Sequence, residues 1–460
     1  MHDDTTRQSV LFPQLFGKAL VAKFDQRQGS SDGGAILLKA ADARLSLSER
    51  LAACIEDRRQ PGKIDHTIHE LLSQRLYAIA CGHADCNDAA RLSGDPVHQL
   101  LSRGQSAPEP MLASQPTLSR FENAADRASL YRMGVALAET VIERHRKRLG
   151  RRKVKHVRID LDPTDDPTHG AQQLTFFNGH YDSWCYLPMV GFLTFNGEPD
   201  QYLFCYVLRA GNAPARQGAR GILERIIEPV RASFPKARIE VRLDGGFAGP
   251  ELLNFLEEQD VDYLIGMAQN KVLKRRARQL LGRARRLSRQ SNQTQNVFGE
   301  TRYAAGSWHG HKRRVLIKAE VVRAPGKEPK DNARFVVTNL KQSPRHLYRR
   351  VYCGRGDIEN RIKELHHGLE IDRTSCTDFR ANQLRVLITA AAYVLMQEMR
   401  LAAKGTSCER AQVSTLRDRL IKLGAWIETS VRRIVLHLPK STPHRCEWQR
   451  IARALGAVPA

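Results

Sequence analysis

The chain has no CxxC and no Cys/His pair at zinc-ligand spacing, which excludes a zinc-built module. Its nine cysteines are dispersed and odd in number, the pattern of free thiols in a reducing compartment. No apolar run is long enough to cross a bilayer, and HDDTTRQS after Met1 lacks the apolar stretch of a secretion signal. The expected location is therefore cytoplasmic. There is no internal repeat and no low-complexity tract. Acidic residues are also scarce, with 49 Asp plus Glu against 73 Lys plus Arg, for a formal net charge of +24. Such a field favours polyanions and would hold duplex DNA through counterion release. The 460 residues allow two or three domains with a well-buried core.

Residues 1–150 read as mostly helical after a small β element at LVAKFD (20–25) and the SSDGG turn (30–34). ILLKAADARLSLSERLAACIEDR carries Leu37, Leu38, Leu45, Leu51 and Ile55 at helical spacing. HTIHELLSQRLYAIACG (66–82) is a second amphipathic run, stopped by Gly82, and CNDAARLSGDPVHQLLS is a third. SAPEPMLASQPT (106–117) reads as a linker, and 117–150 as one helix with a capping-box-like start.

The period then changes. KHVRIDLD (155–162) alternates, with Val157, Ile159 and Leu161 on one face and Arg158, Asp160 and Asp162 on the other. CYLPMVGFLTF (185–195) and YLFCYVLRAG (202–211) read as strands, 215–234 as a helix and ARIEVRLDGG (237–246) as a strand. PELLNFLEEQ (250–259) is a helix with Pro at its first position, and DYLIGMA (262–268) a strand. The order β-β-β-α-β-α-β predicts an α/β protein, with a mixed sheet flanked by helices as in ribonuclease H-like folds. A basic segment (271–290) and strand-like runs at 313–324 and 333–340 interrupt it. The basic run suits either a DNA-backbone contact or a solvated helix face. Helix resumes at SPRHLYRRVY, with Ser343 as N-cap and Pro344 at N1. Residues 379–403 form a strongly apolar helix, and 404–460 are basic and mixed.

Strand periodicity puts Asp160 with Asp162, and Glu240 and Arg242 with Asp244. If the strands are neighbours, Asp162 and Asp244 meet at the carboxyl edge of the sheet. Clustered carboxylates repel and raise one another's pKa, and a hard divalent cation reverses this. Either Asp160 or Asp162 would serve as first ligand. Tyr352, Arg355 and Glu359 follow Y-x2-R-x3-E, so on a helix they share one face, continued by Lys363 and His366. A metal-binding carboxylate beside a phosphate-binding cation suits phosphodiester chemistry on DNA. His156, His169 and His180 are isolated, the usual pattern of structural histidines.

IDLDPTDDPTHGAQQLTFFNGHYDSWCYLP, VRLDGGF and YCGRGDIENRIKELHHGL resemble the signatures of bacterial insertion-sequence transposases with a DDE domain (transposase DDE domain group 1), in particular the insertion-sequence-1380-like group. Asp162-Pro163-Thr164 resembles the first-aspartate motif and LDGGF the second, and Tyr352, Arg355 and Glu359 match the Y-R-E part of the third. The lysine usual seven residues after the glutamate falls on His366. The likeness extends to SSDGGAILL and QPTLSRFEN near the N-terminus.

The resemblance implies a catalytic and metal-binding trio Asp162, Asp244 and Glu359, with Asp160 as a competing ligand for Mg²⁺ or Mn²⁺, two ions in all. Tyr352, Arg355, Lys363 and His366 would contact DNA phosphate. It also implies a β-rich insertion between the second aspartate and the glutamate, where Trp308 is a candidate for stacking on a flipped base. The expected organisation is a helical DNA-end-binding region (1–150), a catalytic core in two parts (151–270 and 343–403), a basic and β-rich insertion (271–342) and a basic C-terminal region (404–460). Implied partners are terminal inverted repeats, target DNA and a second copy of the chain, at a bacterial nucleoid. A catalytically inactive repressor and a nuclease without joining activity are the rival readings.

Overall fold

The computed structural model describes residues 10–12, 18–23, 25–103 and 111–459. Residues 106–110 of the expected linker lie outside the described residues. An eight-stranded mixed sheet organises the chain. Its strands are β1 (His156–Pro163), β2 (Met189–Phe195), β3 (Tyr202–Val207), β4 (Arg238–Leu243), β5 (Asp262–Met267), β6 (Gln295–Tyr303), β7 (Arg313–Val322) and β8 (Lys330–Thr338). Their order is β6-β7-β8-β5-β4-β1-β2-β3. β4 runs parallel to β1 and to β5, and every other pairing is antiparallel. The strands at 295–338 thus prolong one edge of the sheet through β8. This α/β arrangement is compatible with a ribonuclease H-like DDE fold.

Val157, Ile159 and Leu161 of β1 are fully buried with Val241 and Leu243 of β4, so alternation turns one face of each strand into the core. The helix α1 (Phe379–Ala402) is buried almost throughout Ala381–Arg400 and packs on β3. A helix buried all round must satisfy its own polar groups. Gln383 accepts from Leu208 N at 2.7 Å and donates to Tyr206 O at 3.2 Å, and Gln397 accepts from Leu203 N and donates to Gln201 O. Two glutamines therefore cover the backbone of the edge strand β3 and close it to further pairing.

Several sequence-derived elements are broken where the backbone needs a turn. The run from Ile36 splits at Ser46, which adopts a left-handed conformation (φ 51°). The third run splits at 93–95, between Ala89–Leu92 and Pro96–Arg103. Residues 115–149 form two helices, Gln115–Asn123 and Arg127–Leu149, the second capped by Asp126 accepting from Ser129 N. The expected strand 185–195 is interrupted at Leu187-Pro188, because proline cannot donate to a ladder. Ser183–Tyr186 joins a small separate sheet, and β2 begins at Met189.

Candidate active site at the ends of two parallel strands

Two strands and one helix carry the acidic residues to one edge of the sheet, where the charges of Asp244 and Glu359 act on Asp162, although the oxygens of the three do not all lie within 4.8 Å of one another. β1 and β4 are in parallel register, with Arg158 opposite Glu240 and Asp160 opposite Arg242. Continuing that register sets Asp162 level with Asp244. The first two rungs join opposite charges: Arg158 Nε lies 2.6 Å from Glu240, and Arg242 grips Asp160 with Nε at 2.7 Å and a terminal nitrogen at 2.6 Å. Past the last paired residues, the next positions on that face are two carboxylates, Asp162 near the end of β1 and Asp244 just after β4. Gly245–Phe247 forms a tight turn after β4, capped by Asp244 Oδ1 accepting from Gly246 N at 2.8 Å.

The third carboxylate arrives on a distorted helix. Ser343 caps Pro344–His346, Leu347–Tyr352 forms a π-helical turn, Cys353–Gly356 tightens to 3-10 geometry, and α-helix holds only over Asp357–Leu369. The single α-helical face expected for Tyr352, Arg355 and Glu359 is therefore reshaped by the two glycines, Gly354 and Gly356, which weaken helix locally. The helix is anchored by buried Glu364, which pairs with Arg400, Arg361 and Tyr393. Glu359, one turn earlier, is exposed.

Electrostatics link the three acids. Asp162 is buried, and its carboxyl is pushed up to about 6 by burial and by the charges of Asp244 and Glu359, against the opposing pull of Arg355. Arg355 donates to Asp162 Oδ2 at 2.8 Å, and Asp162, Tyr352 and Asp244 outweigh burial to hold its charge. Burial and the Asp244 charge push the Tyr352 hydroxyl up, so it stays protonated. That hydroxyl lies against Gly266 of β5, where a Cβ would come within 2.5 Å of it, so only glycine admits the tyrosine.

Other expected residues sit elsewhere. Asp160 is fully buried, with both oxygens held by Arg242 and Oδ2 also accepting from Gln201. A fully buried carboxylate already paired bidentately with Arg242 is closed to an incoming metal, which corrects its reading as a ligand. Trp308 is 3% exposed, packed edge-on to Tyr303 with the Arg313 guanidinium over its ring, so it is closed to a flipped base. His366 turns Nδ1 to Asp372 Oδ2 at 3.2 Å, whereas Lys363 is exposed. His156 lies 3.5 Å from Glu240, and His169 and His180 are exposed.

Sequence reading missed three features. The pairing of Arg242 with Asp160 is the first; matched opposite charges on two neighbouring strands, R-x-D against E-x-R, were its signal. Tyr181 is the second. Its hydroxyl is pushed up to about 12 by burial and by the charges of Asp165, Asp162 and Asp244. The third is a remote cluster in which Asp32 Oδ2 accepts from His83 Nε2 at 3.0 Å and His98 Nε2 at 2.9 Å. Among the described residues, these three form the group whose ligand atoms all lie within 4.8 Å of one another. Lys422 Nζ already lies 2.7 Å from Asp32 Oδ1, so an ammonium supplies the positive charge there.

A search of curated proteins found no match. The family model for transposase DDE domain group 1 matches residues 12–460, and the chain belongs to that family of DDE transposases.

Proposed function

We propose that the chain binds the terminal inverted repeats of an insertion sequence of the insertion-sequence-1380-like group, cuts DNA at the element ends and joins the freed 3′-hydroxyl to target DNA. The observation that carries this reading is the like charge gathered where β1 and β4 end: the charges of Asp244, which follows β4, and of Glu359 both act on buried Asp162. Three carboxylates that share one sheet edge are hard oxygen donors whose mutual repulsion a divalent cation would relieve, so the donor set fits Mg²⁺ or Mn²⁺, with two ions proposed. Asp162, Asp244 and Glu359 would hold them, and Asp160 is left out because Arg242 occupies it. A bound ion would supply charge neutralisation at the phosphoryl oxygens and a more acidic water.

The chain's own groups orient the DNA. Arg355 carries a fixed charge beside Asp162, suited to a non-bridging phosphate oxygen. The Tyr352 hydroxyl, held protonated, can donate to the same phosphate. Arg242 also donates to Val351 O at 2.7 Å, so the Asp160–Arg242 pair steadies the segment that carries Tyr352 and Arg355. Lys363 and the basic helix Lys271–Ser291, which buries Leu273, Ala277, Ala284 and Ser288 and exposes its lysines and arginines, offer backbone contacts further out. We assign end recognition to the helical N-terminal region and the holding of two ends to a homodimer.

The test is nicking of supercoiled DNA carrying the element ends, with Mg²⁺ or Mn²⁺. Asp162→Ala, Asp244→Ala and Glu359→Gln should each lower the rate by about a thousand-fold or more while end binding survives. Nicking at the wild-type rate by any of the three would overturn the assignment. An inactive wild type that still binds ends would mark the chain as a DNA-binding relative without catalysis.

A further inference from the structure

A short hairpin projects just beyond Asp162. Its strands Phe176–Asn178 and Ser183–Tyr186 pair with each other, and Ser183–Tyr186 also pairs with Asp166–Pro167, four residues past Asp162. Phe177 and Trp184 stand directly opposite in the register, so their rings share one face, 6.2 Å apart and edge-on. They are 51% and 58% exposed, and Phe176 and Leu174 beside them are also exposed. Large aromatic rings left half in water on a rigid support are characteristic of a binding surface.

The support is rigid. Thr168 donates to Trp184 O through N at 2.9 Å and Oγ1 at 3.1 Å, and Asn178 donates to Gly211 O at 2.8 Å. Gly211 N donates to Leu174 O, and a Cβ on Gly211 would lie 2.7 Å from Phe176 O, so the hairpin is pressed onto that loop. The backbone that carries the rings is thus ordered before binding. The hairpin is tied to the segment just past Asp162 by the Asp166–Tyr186 and Pro167–Cys185 pairing, and the charges of Asp165, Asp162 and Asp244 reach the Tyr181 hydroxyl at its tip.

Charge selects the occupant. No lysine or arginine occurs between Arg158 and Arg209, in a chain with 73 of them. The hairpin therefore has no cation for a phosphate, and what it offers is π faces. Base faces are available for stacking only where the strand is unpaired. Resting on the DDE reading above, we propose that the Phe177–Trp184 pair is a stacking platform for unpaired bases of the DNA strand at the carboxylate site, the role the buried Trp308 cannot fill.

The test uses full-length protein and fluorescence anisotropy with two probes, a thymidine oligonucleotide of about 20 residues and a blunt duplex of similar length. Phe177→Ala/Trp184→Ala should weaken the single-strand probe about ten-fold or more and change the duplex by less than about two-fold, whereas Trp184→Phe keeps most of the single-strand affinity. Unchanged single-strand binding by the double variant would overturn the proposal, as would equal loss on both probes. A changed sedimentation coefficient of the free protein with single-strand binding intact would assign the face to a second copy instead. Failure of the DDE reading shows separately, as Mn²⁺-dependent nicking that survives Asp162→Asn.

Discussion

Three side-chain rungs cross between β1 and β4 on the same face, and they do different work. In the lower two, Arg158 meets Glu240 and Asp160 meets Arg242, so each buried charge is matched by its neighbour. Beyond the paired residues, in the top rung, the charges of Asp244 and Glu359 both act on Asp162. The two kinds of rung leave opposite marks. Glu240 is buried, yet hydrogen bonds and charge from His156 and Arg158 outweigh burial and hold its carboxyl down at about 2. At Asp162, burial and two acids outweigh Arg355 and push it up to about 6. A carboxylate matched inside the fold contributes to stability. One whose single cation partner, Arg355, is outweighed by burial and two neighbouring acids costs stability and is open to a cation from outside.

Substitutions should break this contrast with opposite signs. The largest effect is expected at the middle rung: Asp160→Asn leaves Arg242 buried without its charge and should cost about 3–5 kcal/mol in denaturant unfolding. Replacing both partners with apolar residues should recover much of that loss. At the lower rung, Glu240→Gln should cost about 2–3 kcal/mol at neutral pH. Because the folded carboxyl is depressed, this contribution is fully present above its ordinary value near 4.5 and is lost as pH falls towards about 2. The two proteins should therefore converge in stability over that window in an acid titration of unfolding. At the top rung, Asp162→Asn should stabilise the metal-free protein by about 1–3 kcal/mol at neutral pH, since it removes a carboxylate that resists ionisation. A loss of stability there would place Asp162 among the structural pairs.

Much of the sheet was legible in the sequence because period-two alternation is local. KHVRIDLD and ARIEVRLDGG announce both strands and the side on which their acids lie. Alternation says nothing of depth along a strand, and so Asp160 and Asp162 looked equivalent. Only the register with β4, set by residues 82 positions on, shows that one is spent and the other is not. The same limit applies to Trp308, whose burial depends on Tyr303 and Arg313 packing around it. The spacing of Tyr352, Arg355 and Glu359 was readable, while the π-helical turn before the two glycines was not, since the contacts made there, Arg242 to Val351 O and the Tyr352 hydroxyl against Gly266, come from β4 and β5. The Asp32–His83–His98–Lys422 cluster left no local signal, since its members lie on four separate segments.

That cluster supplies the control for the most direct test. Both sites hold acids beside a cation, yet Asp32 is held well below the usual carboxylate range by His83, His98 and Lys422 despite its burial. Mn²⁺ binding to the free full-length protein can be followed by electron paramagnetic resonance in the wild type, Asp244→Asn and His83→Ala. The account predicts that bound Mn²⁺ disappears in Asp244→Asn and persists in His83→Ala. Retention in Asp244→Asn, or loss in His83→Ala, would contradict it.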